Sequence, residues 1–249
     1  MKKMGKRKSL SLARRIICDF MYFSYKMTLN TVAVEKHMKL SALIEAQRNC
    51  PVKLSWFAIF IKAFALISAK HAVLRQTYFS FPTPHIYEYE DTTAILTVER
   101  IFEEETIVLL NKIKQPEHLS LVALDAKIQK AKNAPLDQVR SFRTPLKINR
   151  LPFLLRRLCW WLAFNISKYR GRYLGTFLVT NMAHTVPVLS LRSPMSFNLT
   201  FDVFNINALS LVRFFYDHRL LDGVMATRIM FELEQVLLGE ILDEIKAIG

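Results

Sequence analysis

The stretch Leu54 to Lys70 presents apolar residues on every face of a helix, and this constrains the fold more than any other feature of the chain. A helix that is apolar all round is either a membrane span or the centre of a large core. Lys62 lies in its middle, and the run falls short of the roughly 20 uninterrupted apolar residues that a span requires, so the core is the expected place. Such a helix must be covered by other elements on all sides. The 249 residues, 51% hydrophobic and 22% charged, supply enough chain to do so and exclude a disordered protein.

The covering elements mix helix and strand. Residues 16–50 read as irregular or helical, closed by Cys50-Pro51. Pro82 and Pro84 mark a loop, and the short β-branched runs Ile86–Tyr89 and Thr93–Val98 read as strands. Glu103 to Lys114 and Leu119 to Lys132 both show helical spacing, with Leu109, Ile113, Leu121, Leu124 and Ile128 facing inward. Leu151–Lys168 reads as a further helix, and Tyr173–Asn181, Ser196–Val203 and Ala208–Tyr216 as strands. From Asp222 onward, Ala226, Ile229, Met230, Leu233, Val236, Leu237 and Ile241 recur at helical spacing, with Asp222 as N-cap. No linker or internal repeat interrupts 30–249, so a single α/β or α+β domain is expected there, preceded by a basic N-terminal arm over 1–29.

Charge divides unevenly along this layout. Of the formal net charge of +14, seven Lys/Arg fall in residues 1–15 with no acid. Ten more lie between Gln138 and Phe201, again with no acid, and the rest of the chain balances to 18 against 21. A near-neutral body with two basic regions favours phosphates, acidic proteins, nucleic acid or a membrane face. Nucleic-acid binding is disfavoured, because the sequence holds no recognised module and basic residues alone give only salt-sensitive attraction. Cys18, Cys50 and Cys159 are far apart and the six histidines form no ligand pair, so neither a disulfide framework nor a metal site is expected. The first residues carry Asp19 within their apolar stretch and no small-residue cleavage site follows, which predicts a cytoplasmic chain. The arm, with Ile16-Ile17 and Phe20 to Phe23, could hold residues 1–23 to the inner face of an anionic membrane.

The strongest local signal is Tyr216-Asp217-His218-Arg219-Leu220-Leu221-Asp222-Gly223. A β-branched and aromatic run delivers His218 to a strand end, and Asp222-Gly223 starts the last helix. On residues alone, His218 is either a structural histidine or a general base, whose ordinary pKa near ~6.5 suits proton transfer at neutral pH. Asp222 has separate employment as a cap.

This H-x-x-x-D-G arrangement, after a strand ending Tyr-Asp and before a long amphipathic helix, resembles the active-site signature of the chloramphenicol acetyltransferase superfamily. Within it, the catalytic domains of dihydrolipoyl acyltransferases, the core of 2-oxoacid dehydrogenase complexes, are the closer match through Asp217-His218-Arg219 and Asp222-Gly223. Gly175-Thr176-Phe177-Leu178-Val179-Thr180-Asn181 resembles the G-T-F-x-[IV]-[ST]-N strand of the same family. More loosely, Lys53–Lys70 resembles the helix that opens the family's catalytic domain, and Glu103–Lys132 its paired helices. The likeness spans about 30–249.

The resemblance implies an α/β (α+β two-layer sandwich) fold with a mixed sheet, a homotrimer, and acyl transfer from a thioester. His218 would act as general base on a hydroxyl, amine or thiol acceptor, and the Thr180 hydroxyl would stabilise the oxyanion. Asp222 matches a mainly structural carboxylate of the catalytic signature, Gly223 a close backbone turn, and Asn181 a residue that shapes the turn after the strand. The histidine of one chain and the hydroxyl of its neighbour would share each site. Arg156, Arg157, Lys168, Arg170 and Arg172 are candidate contacts for the phosphates of coenzyme A or for an acidic acyl carrier protein, whose thioester or phosphopantetheine-linked acyl group would be a co-substrate rather than a bound cofactor. The chain departs from the family in lacking a lipoyl domain and an Ala/Pro-rich linker. It departs again at Met182-Ala183-His184-Thr185 and over Val188–Asn207, so lipoamide is not the expected acceptor. The alternative reading is a catalytically idle acyltransferase fold used for binding or assembly in a larger complex.

Overall fold

The computed structural model describes residues 10–25, 30–102, 104–181, 194–202 and 209–248. Eight strands and nine α-helices are present among them. In chain order they are α1 (Leu12–Ser24), β1 (Thr31–Lys39), α2 (Ser41–Asn49), α3 (Trp56–Lys70), β2 (Gln76–Phe79), β3 (His85–Glu88), β4 (Thr93–Phe102) and β5 (Glu105–Lys114). There follow α4 (Leu121–Asn133), α5 (Arg140–Arg150), α6 (Phe153–Asn165), α7 (Ser167–Leu174), β6 (Phe177–Asn181), β7 (Phe197–Phe201), β8 (Leu209–Asp217), α8 (Gly223–Val236) and α9 (Leu242–Lys246). A π-turn over Leu237–Ile241 joins the last two helices.

Six strands form one mixed sheet in the order β1-β8-β7-β6-β4-β5. The β4–β6 and β6–β7 pairs are parallel and the rest antiparallel. β2 and β3 form a separate antiparallel pair. Strand alternation sends Leu96, Val98, Phe177, Val179, Phe197, Leu199, Val212 and Phe214 to one face, where α3, α4, α8 and α9 cover them in the main core. Helix α3 lies at its centre, and Phe60 stacks on Phe201 with ring centroids 4.2 Å apart. Lys62, the residue that excluded a membrane span, is buried there and reaches Glu244 at 2.5 Å. Glu244 also accepts from the Leu121 N–H at the start of α4, so one carboxylate compensates two buried donors.

The opposite face carries a second, smaller core over β4 and β6. Ile95 and Leu178 meet Trp160, Phe164 and Leu174 of α6 and α7, with Phe20 and Phe23 of α1 packed against them. Part of the sheet therefore has a helical layer on each side. Residues 12–24, expected within a basic arm, are a docked helix capped by Ser11, and Phe20 and Phe23 turn inward against Phe164. Half of the apolar group expected at a membrane is thus interior. Residues 1–9 and 26–29 lie outside the described residues.

Most elements fall where the sequence places them, and several do not. Glu103 to Lys114 was expected to be a helix and is strand β5, so the pair of helices expected over Glu103–Lys132 reduces to α4. Leu109 and Ile113 are buried as predicted, but with Ile107 and Asn111 at strand period along the β4 edge. The chain turns back at Glu104, whose φ of 64° closes the hairpin. Residues 31–39 form edge strand β1 rather than irregular or helical chain, and β2 and α5 occupy stretches to which no element was assigned. The helix expected over Leu151–Lys168 is divided into α6 and α7, the latter reaching Leu174 where a strand was expected from Tyr173.

Gly175 sets the start of β6. Its φ is +66°, and a Cβ there would lie 2.6 Å from the Thr93 carbonyl oxygen and 2.9 Å from an Ile95 side-chain carbon. Gly175→Ala combines left-handed strain with backbone overlap and is expected to lower unfolding stability by about 2–4 kcal/mol in urea denaturation. A loss below about 1 kcal/mol would show that β6 does not depend on this glycine.

Candidate active site

His218 stands one residue beyond β8. Its N–H donates to the Asn30 carbonyl at 2.9 Å, which extends the β1–β8 ladder past the Thr31–Asp217 pair. The ring is placed from two sides. Nδ1 lies 2.9 Å from the Leu221 carbonyl oxygen. A carbonyl only accepts, so Nδ1 carries the proton and the Nε2 lone pair is left available at an exposed position. The Tyr216 ring meets the imidazole edge-on, with centroids 6.1 Å apart. Burial raises the Tyr216 phenol above its ordinary pKa, with the Asp222 carboxylate acting in the same direction.

The loop between strand and helix is built from charged neighbours. Asp217 is buried, and its carboxylate accepts from the Arg219 N–H at 3.0 Å, Nε at 2.9 Å and Nη2 at 2.6 Å. The Arg219 guanidinium lies 4.0 Å over the Tyr78 ring. Asp222 caps α8, as the sequence predicts, its side chain accepting from the Met225 N–H at 2.7 Å. The Asp222 carboxylate therefore holds the helix start. Gly223 does not fill the role expected of it. It opens α8 without a positive φ, and a Cβ there would make only an ordinary 3.7 Å contact with the Tyr216 hydroxyl.

Thr180 lies near the end of β6, with its Oγ1 3.2 Å from Thr97 Oγ1 on β4. Register continues this row across the sheet. Thr180 pairs with Thr200, Thr200 with Arg213 and Arg213 with Glu35, so four polar positions follow Thr97 on five adjacent strands. Arg213 Nε reaches Glu35 at 2.6 Å. The Asn181 Oδ1 and Thr200 Oγ1 atoms are buried without a hydrogen-bond partner among the described residues. Sequence reasoning found Thr180 but not Thr97, Thr200, Arg213 or Glu35, because cross-strand register leaves no local mark. The segments 182–193 and 203–208, which contain Met182 to Thr185 and much of Val188–Asn207, lie outside the described residues.

The same register separates the two candidate catalytic groups. Thr180 is level with Arg213, five residues before His218 on β8, and two strand spacings away. At strand dimensions this puts them roughly 20 Å apart in one chain. They lie at opposite ends of the sheet, and no rotamer brings them together.

The five basic residues expected at a donor also divide. Arg156 is buried and pairs with Asp19 at 2.5 Å. Arg170 is buried too, and donates to the Phe164 and Pro194 carbonyls. Burial lowers its pKa to about 10, against the opposing charges of Tyr89 and Asp217. Burial likewise raises Tyr89 to about 12. Arg156 and Arg170 are therefore internal supports rather than donor contacts, and Arg170 stands within the field of the Asp217 carboxylate beside His218. Arg157 lies 3.8 Å over the Tyr22 ring, while Lys168 and Arg172 are exposed on α7. Trp160 belongs to the second core, and Trp161 meets Phe81 edge-on. No group of described residues could hold a metal ion, and no described helix is long and apolar enough to cross a membrane.

No family profile and no curated protein sequence matches the chain. Solved structures do. Azotobacter vinelandii dihydrolipoamide acetyltransferase is 14% identical with a TM-score of 0.62, over 99% of this chain and 95% of that one. That structure addressed the roles of a serine, a histidine and an asparagine in its catalytic mechanism. The cubic core of a pyruvate dehydrogenase multienzyme complex is 15% identical with a TM-score of 0.60, covering 99% and 96%. A chloramphenicol acetyltransferase is 10% identical with a TM-score of 0.52, covering 92% and 99%. The fold is that of the chloramphenicol acetyltransferase-like proteins, as the two sequence motifs implied.

The cap geometry gives a direct expectation. Asp222→Ala is expected to cost about 1 kcal/mol of stability, and Asp222→Asn, which caps a helix equally well, only a few tenths. Equal losses in chemical denaturation would show that the negative charge, rather than the hydrogen bond to Met225, is what α8 requires.

Proposed function

We propose that the protein is an acyltransferase whose active site is shared between copies of the chain, with His218 of one and Thr180 of another. The carrying observation is the state of His218. Its Nδ1 proton is committed to the Leu221 carbonyl, which leaves Nε2 as an exposed base at a rigid strand end. The roughly 20 Å between His218 and Thr180 in one chain supports the division between copies. The likeness to acetyltransferases over nearly their full length supports the reaction class. In the Azotobacter enzyme the asparagine named with the histidine stands four residues beyond it, the spacing at which this chain carries Asp222.

The reaction follows from those two groups. The acceptor, a hydroxyl, amine or thiol, attacks the thioester carbonyl of an acyl-CoA or carrier-protein donor as Nε2 takes its proton. The carbonyl oxygen becomes an oxyanion and accepts a hydrogen bond from Thr180 Oγ1. Thr97 Oγ1 lies 3.2 Å from Thr180 Oγ1, and the role proposed for Thr180 requires Thr97 to be the donor of that bond, which frees the Thr180 proton for this task. The tetrahedral intermediate then collapses. The carbon–sulfur bond breaks, and the departing thiolate recovers the proton from Nε2. No acyl-enzyme forms, so Thr180 is a donor and not a nucleophile. Lys168 and Arg172 serve the donor's phosphates or an acidic carrier protein. The shared site requires an oligomer, and a homotrimer is the arrangement proposed.

Release of free thiol from acetyl-CoA and longer acyl-CoAs tests the reading. His218→Ala is expected to lower kcat by about a thousandfold. Thr180→Ala is expected to lower it by about a hundredfold or more, with Thr180→Ser largely restoring it. Mixing the two inactive variants under exchange is expected to regenerate about a quarter of the native sites, because each supplies what the other lacks. No recovery from a mixture shown to exchange subunits would place both groups in one chain or remove one of them from the reaction. An unchanged rate in His218→Ala would overturn acyl transfer at this site, and a native protein that releases no thiol from any acyl-CoA would favour an idle fold.

A further inference from the structure

Helix α5 carries Arg140, Arg143, Lys147 and Arg150 at steps of three, four and three residues, which follow one face of a helix. All four are exposed, and none takes part in an ion pair among the described residues. The buried side of α5 presents Phe142 and Asn149 instead. At the start of the row, Arg140 lies close enough to act on Lys112 of β5. The Lys112 ammonium is held below its ordinary pKa, first by burial and then by Lys114, Arg172 and Arg140. Like charges gather here with no carboxylate among them.

Beyond Leu151 and Pro152, the first turns of α6 are apolar and uncovered. Phe153, Leu154, Leu155 and Leu158 are 57, 78, 52 and 52% exposed. Helix α1 packs beside α6 and adds Met21 and Tyr22. Arg157 ties the two helices into one surface, its guanidinium 3.8 Å from the Tyr22 ring and 5.3 Å from that of Phe153. Across α1, α5 and α6 the sole carboxylate is Asp19, which is buried against Arg156.

We propose that the exposed faces of α5 and α6, with Met21 and Tyr22 of α1, dock the protein on an anionic bilayer surface. Six large apolar side chains bordered by a row of unpaired cations match both halves of that partner. The apolar ridge enters the boundary between headgroups and acyl chains, and the cations meet the acidic phosphates above it. A nucleic acid or a free phosphate would use the cations and leave Phe153, Leu154, Leu155 and Leu158 facing water. This surface shares only Met21 and Tyr22 with the segment 1–23 expected at a membrane, lies mainly on α5 and α6, and its function does not rest on acyl transfer.

Co-sedimentation of the full chain tests it, with vesicles of phosphatidylcholine alone or with about 30% phosphatidylglycerol. The native protein is expected to sediment with the anionic vesicles, not the neutral ones, and to be released as salt rises. Two double variants separate the contributions: Leu154→Glu with Leu158→Glu, and Arg143→Glu with Lys147→Glu. All four positions are exposed, so native circular dichroism is expected of both. Each is expected to weaken partitioning by about tenfold or more. Sedimentation of either variant like the native protein would overturn the proposal, as would failure of the native protein to bind anionic vesicles. A lower mass of the leucine variant in light scattering would assign the face to contact between copies instead. Capture of an acidic carrier protein without any vesicle binding would assign it to that protein.

Discussion

The buried Asp217 carboxylate is the constraint around which the site is arranged. It sits at the last position of β8, where the strand pattern points it away from the main core but still removes it from water. An uncompensated carboxylate there would cost several kcal/mol. Arg219 meets that requirement three times, through its backbone N–H and two guanidinium nitrogens. To do so, the chain must turn immediately after His218. The Leu220 and Leu221 N–H groups then donate back to the Asp217 carbonyl, and the turn delivers the Leu221 carbonyl to the imidazole. The tautomer of His218 is thus a consequence of how its neighbour is neutralised. Arg170 adds a second positive charge from α7, which couples the helical layer on the far face of the sheet to the same carboxylate.

This arrangement is local and complete, whereas the polar row at Thr180 is neither. His218 lies at the Gly175 end of the sheet, because β8 runs antiparallel to β7 and β7 parallel to β6. Thr180 lies at the other end, within a row of hydroxyls whose remaining members are one strand spacing apart. The fold therefore sets His218 at one edge of the chain and Thr180 at another. The proposed sharing between copies needs an interface that sets the His218 edge of one chain against the Thr180 edge of the next, and closed symmetry repeats one such contact around its axis.

The sequence disclosed what short-range chemistry encodes and missed what pairing encodes. The Asp222 cap and the helix after it were legible, because capping and helical spacing are properties of a few neighbouring residues. Helix α3 was legible for the same reason. Strand β5 was read as a helix because Leu109 and Ile113 satisfy a spacing of four as well as two steps of two, and only pairing with β4 decides between them. Helix α5 went unread because the residues that repeat along it are cations, and Pro145 lies within it. The separation of His218 from Thr180 within one chain came only from the family resemblance and not from the residues themselves. It depends on the order and direction of three strands, and neither is written near the two residues.

The basic block shows how a single compositional feature splits once the chain folds. Ten cations without an acid suggested one electrostatic surface, but burial sorts them. Arg156 and Arg170 went inside, where each required a partner, and they found Asp19 and two backbone carbonyls. The four on α5 stayed outside, where a row of like charges is mutually repulsive and contributes nothing to holding the domain together. Adjacent Leu154 and Leu158 add no core burial either. A surface that stabilises neither the charges nor the apolar groups on it calls for a partner, and the acidic bilayer proposed above would satisfy both at the same face.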